Sequence, residues 1–143
     1  MKSSNPSIET NEETLAYTSL RISNDHDRLN SLYTCLMQEI DCGPPNAVQN
    51  CFFRLRDMLD GHFDVEDRIH FSVVRKFRPA FAPLIEALSE EHSDFRADME
   101  KIQRLLSEDD LKESKRLLTR FADRFLLHEC TEETLIANLD RTF

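Results

Sequence analysis

Six polar residues recur along the sequence with a regular spacing. They are His26, His62, Glu66, His92, His128 and Glu132. His26 and His62 are 36 residues apart, as are His92 and His128, and a glutamate follows both His62 and His128 by four positions. Imidazole nitrogens and carboxylate oxygens without sulfur suit iron or manganese, with zinc as a lesser alternative. Six donors exceed one tetrahedral zinc site and suit two metal ions, each taking two histidines, with both glutamates bridging.

The same residues divide the chain into two similar halves. Residues 26–66 superpose on residues 92–132 with a shift of 66 positions, and the shift also relates apolar pairs such as Ile69 and Leu135. Such self-similarity indicates a helical hairpin used twice, with a pseudo-twofold axis between the copies. The sequence therefore predicts a symmetric centre to which each half contributes one H-x-x-x-E motif.

The elements that position these residues are predicted to be helices. Two glycines and five prolines in 143 residues are too few for the many tight turns of an all-β fold. Breaks occur at residues 41–46, around residues 77–83 and at residues 107–110, where Ser107 is a candidate N-cap. Between the breaks, apolar residues recur every three or four positions. This pattern predicts an all-α, up-down-up-down four-helix bundle.

The predicted core stripe of each helix contains some of the six polar residues. The apolar members of the four stripes are Ile22, Leu29, Tyr33, Leu36 and Ile40, then Val48, Phe52, Leu55, Leu59, Ile69 and Val73, then Leu88, Phe95, Met99, Ile102 and Leu106, then Leu118, Phe121, Phe125, Leu135 and Leu139. Burying an unpaired carboxylate is costly, so two glutamates on these stripes require compensation. Because no Lys or Arg occupies a stripe position, the expected partner is a bound cation.

The heights of the histidines follow from the positions of the turns. Residues on antiparallel neighbours are level when their midpoint falls in the connecting turn. The midpoints of successive histidine pairs are residues 44, 77 and 110, which all lie in the predicted breaks. All four histidines are therefore expected at one level, with the two glutamates one helical turn away on the same faces.

Composition excludes several classes of protein. Lys and Arg total 18 against 27 Asp and Glu, a net charge of −9, and no basic stripe of a nucleic-acid-binding protein is present. No apolar run approaches the roughly 20 residues that span a bilayer.

The four cysteines are expected to be reduced thiols. The polar N-terminus lacks a signal segment and the four cysteines form no C-x-x-C pair, so a cytoplasmic location is also expected. A Cys42–Cys51 disulfide is the alternative. Residues 1–13 are interpreted as a polar lead-in and residues 14–143 as one domain.

The full six-residue pattern resembles the hemerythrin-like, or HHE cation-binding, domain. The resemblance covers about residues 18–140 and includes the local strings at 25–29, 62–67 and 128–133. It implies a non-haem di-iron centre bridged by two carboxylates and by an oxo or hydroxo group. It also implies chemistry with O₂, NO or peroxide, or iron sensing.

The sequence departs from the oxygen-carrying hemerythrins at identifiable positions. Those proteins have an H-x-x-x-H pair on the third helix and an Asp five residues after the closing histidine. Here Arg96 lies four residues after His92, and Glu132 lies four residues after His128. The oxygen carriers use five histidines where this chain has four, which argues against reversible O₂ transport. The pattern is more similar to the branch associated with repair of iron centres under nitrosative stress, and to the iron-sensing domain of a ubiquitin-ligase subunit.

Three functions are therefore considered. The first is a di-iron protein of oxidative or nitrosative stress that reacts with O₂, NO or peroxide, or handles iron. The second is a non-catalytic iron or redox sensor read by a separate partner protein, and the third is a small O₂-binding protein.

Three further residues have two interpretations each. His70, whose counterpart in the second half is Ile136, is either a packing residue or a fifth nitrogen ligand. Asp25 and Glu91 are either solvated or accept hydrogen bonds from histidines.

Overall fold

The protein is described by a computed structural model that covers the backbone of residues 6–141 and the side chains of residues 12–139. The described residues form the helices α1 (Pro6–Cys42), α2 (Pro45–Val65), α3 (Phe71–Phe77), α4 (Ala82–Ser107) and α5 (Leu111–Arg141). A π-helical segment, Glu66–His70, joins α2 and α3 into one continuous helix, and a 3-10 turn, Pro79–Phe81, precedes α4. The described residues contain no strand, so the predicted all-α four-helix bundle is confirmed.

The first two predicted breaks coincide with helix ends. Pro44 is extended, with φ −73° and ψ 159°, and α2 begins at the next residue, Pro45, where a missing N–H costs nothing. Arg78 also has a non-helical backbone, with φ −136° and ψ 77°, because the residue before a proline avoids the helical region. Helix α1 begins at Pro6, so the described part of the predicted lead-in is helical, and the domain division at residue 14 stays a prediction.

The third break has a different cap from the predicted one. Ser107 is the last residue of α4, and its hydroxyl donates to the carbonyl of Gln103 at 2.9 Å. Asp109 adopts a left-handed φ of 60° that ends the helix, and the Asp110 N–H bonds back to the Leu105 carbonyl at 2.9 Å. The N-cap of α5 is Asp110, whose carboxylate accepts the Glu113 N–H at 3.2 Å. The prediction of Ser107 as the N-cap of α5 was wrong, because Ser107 still belongs to the last turn of α4.

The core consists of two apolar clusters. The larger one lies toward the turns at 43–44 and 108–110 and includes Phe52, Ile102 and Leu118. The smaller one lies toward the turn at 78–81 and includes Leu15 and Leu139. In α1, α4 and α5, the histidines of the six-residue pattern fall between the residues of these two clusters, and in α2 His62 directly precedes Phe63, the last α2 residue of the larger cluster. A polar layer therefore crosses the bundle between two apolar layers.

Most of the predicted core stripes are buried, but the second one changes register at the π-helical segment. Ile69 is 43% exposed and Val73 is only partly buried, whereas His70 and Val74 are 1% and 0% exposed. The Phe71 N–H bonds to the carbonyl of Glu66, five residues back, which inserts one extra residue into the helix. The prediction of Ile69 as a core residue was wrong for this reason, whereas Val73 packs against the smaller cluster without being fully buried. Beyond the insertion, the buried equivalent of Leu135 is His70 rather than Ile69.

Two further observations concern the expectations from composition. All four cysteines are free thiols, so the alternative Cys42–Cys51 disulfide is absent. No helix in the described residues combines the length and apolarity required to span a membrane.

Candidate metal centre

The six side chains predicted from the spacing lie together in the polar layer. Each is at most 5% exposed. The rings of His26 and His62 are 5.0 Å apart, and those of His92 and His128 are 5.1 Å apart. The predicted common level of the four histidines is therefore present in the structure.

The potential donor atoms form two overlapping groups. One atom from each of Glu66, His92, His128 and Glu132 lies within 4.8 Å of the others, and the same is true of His26, His62 and Glu132. Glu132 belongs to both groups. The buried cluster is a metal-binding arrangement, and the assignment of each of the six residues as a ligand stays a prediction.

Each glutamate lies between histidines of both halves of the chain. Glu66 Oε1 is 3.0 Å from His92 Nε2 and 3.4 Å from His62 Nε2. Glu132 Oε1 is 2.9 Å from His26 Nε2 and 3.8 Å from His62 Nε2, while its Oε2 is 3.4 Å from His128 Nε2. Glu132, which belongs to both donor groups, occupies the position of a carboxylate that can bridge two ions, whereas Glu66 belongs to one group only.

In each of the four histidines of the six-residue pattern, the opposite nitrogen, Nδ1, contacts a further carboxylate. Asp25 lies 3.2 Å from His62 Nδ1, and Glu91 lies 2.8 Å from His128 Nδ1. Asp67 lies 3.0 Å from His92 Nδ1, and Glu133 lies 2.7 Å from His26 Nδ1. Each pair of contacts is related by the shift of 66 residues, so the pseudo-twofold symmetry extends beyond the six central residues. We call Asp25, Asp67, Glu91 and Glu133 the outer carboxylates.

The outer carboxylates determine what the inner nitrogens can do. A carboxylate can only accept a hydrogen bond, so each Nδ1 carries the proton and, in a neutral ring, Nε2 keeps a lone pair directed inward. The inner atoms without any hydrogen-bond partner include Nε2 of His62, His92 and His128, both oxygens of Glu66 and Oε2 of Glu132. Buried acceptors facing one another repel unless a proton or a cation lies between them. The donor set therefore fits a metal ion.

Two of the histidines tend to be neutral and two tend to be protonated without a metal. Burial lowers the pKa of His128 to about 3 and also lowers the pKa of His92. For His62, burial acts in the same direction, but the hydrogen bond with Asp25 and the negative charge of the nearby Glu132 outweigh it and raise the pKa to about 9. The pKa of His26 is raised as well, against burial, by its contact with Glu132. A cation entering this site would displace those protons.

Sequence reasoning identified only part of the outer shell. Asp25 and Glu91 were assigned to solvent or to hydrogen bonds with histidines, and each contacts a histidine of a neighbouring helix rather than the one it precedes. Asp67 and Glu133 were missed. Their signal is present in the sequence, since each directly follows a glutamate of the H-x-x-x-E motif and the two are related by the same shift.

A third missed residue, Glu129, has no acidic counterpart in the other half. Glu129 is 5% exposed, its Oε2 has no hydrogen-bond partner, and that atom lies 3.9 Å from His26 Nδ1. Burial raises the pKa of this carboxyl. The equivalent residue is Phe63, which stacks on His92 with a centroid separation of 4.1 Å. The two sides of the centre therefore differ at this position.

His70 lies outside both donor groups. It is 1% exposed, and its Nδ1 shares a hydrogen bond of 2.8 Å with the hydroxyl of Thr18. Burial lowers its pKa to about 4, so the ring is neutral at neutral pH. This environment matches the packing interpretation of His70.

The comparisons with known proteins agree with this geometry. The family model described as the hemerythrin HHE cation-binding domain matches residues 18–139. Neither a curated protein nor a solved structure is significantly similar to the chain. The match covers all six clustered side chains and nearly the whole bundle. The chain, a helical bundle with a buried cluster of histidines and glutamates, therefore belongs to the hemerythrin HHE cation-binding domain family.

Proposed function

We propose that the protein holds two iron ions and reacts with O₂, NO or peroxide, or handles iron, in a response to oxidative or nitrosative stress. The observation that carries the proposal is the sharing of Glu132 between two groups of buried, unpartnered donor atoms. His26 and His62 would hold one ion and His92 and His128 the other, with Glu66 and Glu132 bridging. Two iron ions bound in this way would supply one- and two-electron redox chemistry toward small ligands.

The side chains around the centre support this role. The inner donor residues are almost fully buried, which limits their contact with water, and aromatic rings such as Phe63 and Phe95 pack against the histidines. The outer carboxylates orient the imidazoles and increase their basicity. Their negative charge also stabilises the more highly charged, oxidised form of a metal pair. The chain therefore favours a diferric resting state.

Reversible O₂ transport does not fit this arrangement. The two halves offer equal sets of two histidines, so neither ion would be saturated while the other stays open. His70, the one asymmetric candidate for a fifth nitrogen, is bonded to Thr18 and lies outside both donor groups. We expect irreversible oxidation of the reduced protein by O₂. Anaerobic reduction followed by cycles of O₂ addition and removal tests this, and repeated return of the diferrous spectrum would contradict it.

The first experiment is the metal content of the protein as isolated, together with its optical spectrum. We expect two irons per chain and near-ultraviolet oxo-to-iron bands. One iron per chain, or zinc alone after aerobic expression in iron-rich medium, would contradict the di-iron proposal. Turnover with NO or peroxide then identifies the reactive ligand.

A non-catalytic sensor is the second candidate. The observation that favours it is the conflict among inner acceptors such as Glu66 and His92, which makes the order of the bundle depend on the metal. A partner protein could read that change in order. Hydrogen exchange with and without iron tests this candidate, which requires lower protection of α2 and α5 in the metal-free protein.

A further inference from the structure

A surface groove lies directly outside His26, between α1 and α5. It has a volume of about 530 Å³ and is lined by Asp27, Asn30, Glu129, Cys130 and Glu133, with His26 at its inner wall. No Lys or Arg is among the described residues that line it. The groove thus connects solvent to the one histidine of the centre that is as much as 5% exposed.

The groove contains a buried carboxylate without a full set of hydrogen bonds, in addition to its exposed acids. Glu129 is 5% exposed and its Oε2 has no hydrogen-bond partner, although the side chain lines the groove. Glu133 lies beside it and contacts His26 Nδ1 at 2.7 Å. A buried carboxylate oxygen without a partner is costly and is best satisfied by a cation.

The equivalent face of the other half is closed to cations. The shift of 66 residues places Phe63 where the open face has Glu129, and Arg96 where it has Asn30. The Arg96 guanidinium lies over the Phe63 ring at 5.3 Å and pairs with Asp60 at 3.7 Å. Arg96 also contacts Asp67 at 4.0 Å, so the acidic groups of this face already have a cationic partner. The open face has no Lys or Arg among the described residues that line it, and it therefore attracts a divalent cation more strongly.

We infer that divalent metal enters the centre on one side only, through a transit site formed by Glu129, Glu133 and Asp27 outside His26. A cation held there lies next to the imidazole whose other nitrogen, Nε2, is 2.9 Å from Glu132. This inference rests on the proposed two-metal centre and adds the route and the residues by which it is loaded.

The test measures the rate at which metal-free protein takes up Co²⁺, followed by the absorbance of the bound ion after rapid mixing at low salt. Glu129→Gln removes the buried charge with little change in shape. Asn30→Arg gives the open face the arginine of the closed one at an exposed position, where the longer side chain can extend into solvent. Asp64→Asn is the control, because Asp64 is exposed and occupies the position on the closed face that corresponds to Cys130.

We expect both groove variants to load about tenfold more slowly, because each changes one charge close to a divalent ion. The final stoichiometry should stay at the wild-type value, and Asp64→Asn should load at the wild-type rate. Unchanged rates in both groove variants would overturn the inference. So would a reduced final stoichiometry in Glu129→Gln, since Glu129 would then belong to the centre itself, or equal slowing of the control, since net charge alone would then explain the rates. A wild-type stoichiometry below two ions would refute the two-metal proposal, while the relative rates would still decide the route of entry.

Discussion

Replacement of Glu66 by glutamine should change stability in opposite directions with and without metal. Glu66 is fully buried, and neither of its oxygens has a hydrogen-bond partner. Its Oε1 lies 3.0 Å from His92 Nε2, which carries a lone pair because Nδ1 donates to Asp67. In the metal-free protein, two acceptors therefore face each other. In the loaded protein, the same two atoms would share an ion.

The size of each effect follows from this geometry. In the metal-free protein, the glutamine N–H can donate to His92 Nε2 and the uncompensated charge is lost, so we expect a gain of about 1–3 kcal/mol in the free energy of unfolding. In the loaded protein, a bridging carboxylate is lost, and we expect a decrease of about 3 kcal/mol or more. At about 4 °C per kcal/mol for a chain of this size, these changes should be clear in a melting curve.

The assay is thermal unfolding of wild type and Glu66→Gln, each after treatment with a chelator and after loading with two equivalents of Fe²⁺ under anaerobic conditions. Glu86→Gln makes the same chemical change at an exposed position of α4 and should alter either state by less than about 0.5 kcal/mol. If Glu66→Gln destabilises the chelator-treated and loaded proteins equally, Glu66 does not bind metal. The carboxylate would then be stabilised by protein groups alone.

Three further predictions concern the surroundings of the centre. Glu91→Gln should weaken metal affinity about 10–100-fold, because a neutral amide oxygen replaces the charged acceptor that orients His128 and increases its basicity, whereas Glu90→Gln, at the exposed neighbouring position, should leave the affinity in a metal titration unchanged. The pKa of His70 is about 4 in the folded protein and 6.5 in the unfolded chain, so the unfolded chain binds more protons in this window and stability should fall by about 3 kcal/mol as pH drops from 6.5 to 4. Denaturant unfolding of wild type and His70→Leu across this range should show that the variant lacks this loss, and parallel pH profiles would contradict the assignment. Gly61→Ala should raise the free energy of unfolding by about 1 kcal/mol, since the helix gains a better former and an added Cβ meets nothing within 4 Å; an unchanged melting temperature would contradict this.

The periodicity of the sequence was sufficient to predict the bundle and the cluster. Residues spaced by three or four positions lie on the same face of a helix. Polar residues on the inward face of each helix must therefore converge when four helices pack. The spacing of His26 and His62, repeated 66 residues later, also determined which residues lie at one level. Helix ends at Cys42 and Phe77 were predictable because the prolines that follow them restrict the backbone locally.

Tertiary structure decided the features that depend on contacts between helices. The π-helical insertion after Glu66 has no signature in the apolar pattern, and it moved Ile69 to the surface and His70 into the core. Which histidine each outer carboxylate contacts was likewise set by the packing of neighbouring helices, since Asp25 contacts His62 rather than the adjacent His26. A glutamate outside the six-residue pattern is ordinarily expected to be solvated. Glu129 is nevertheless buried, because α1 packs closely against α5 at this position. Sequence periodicity reports the face of a single helix, whereas these features arise from the distance and register between two.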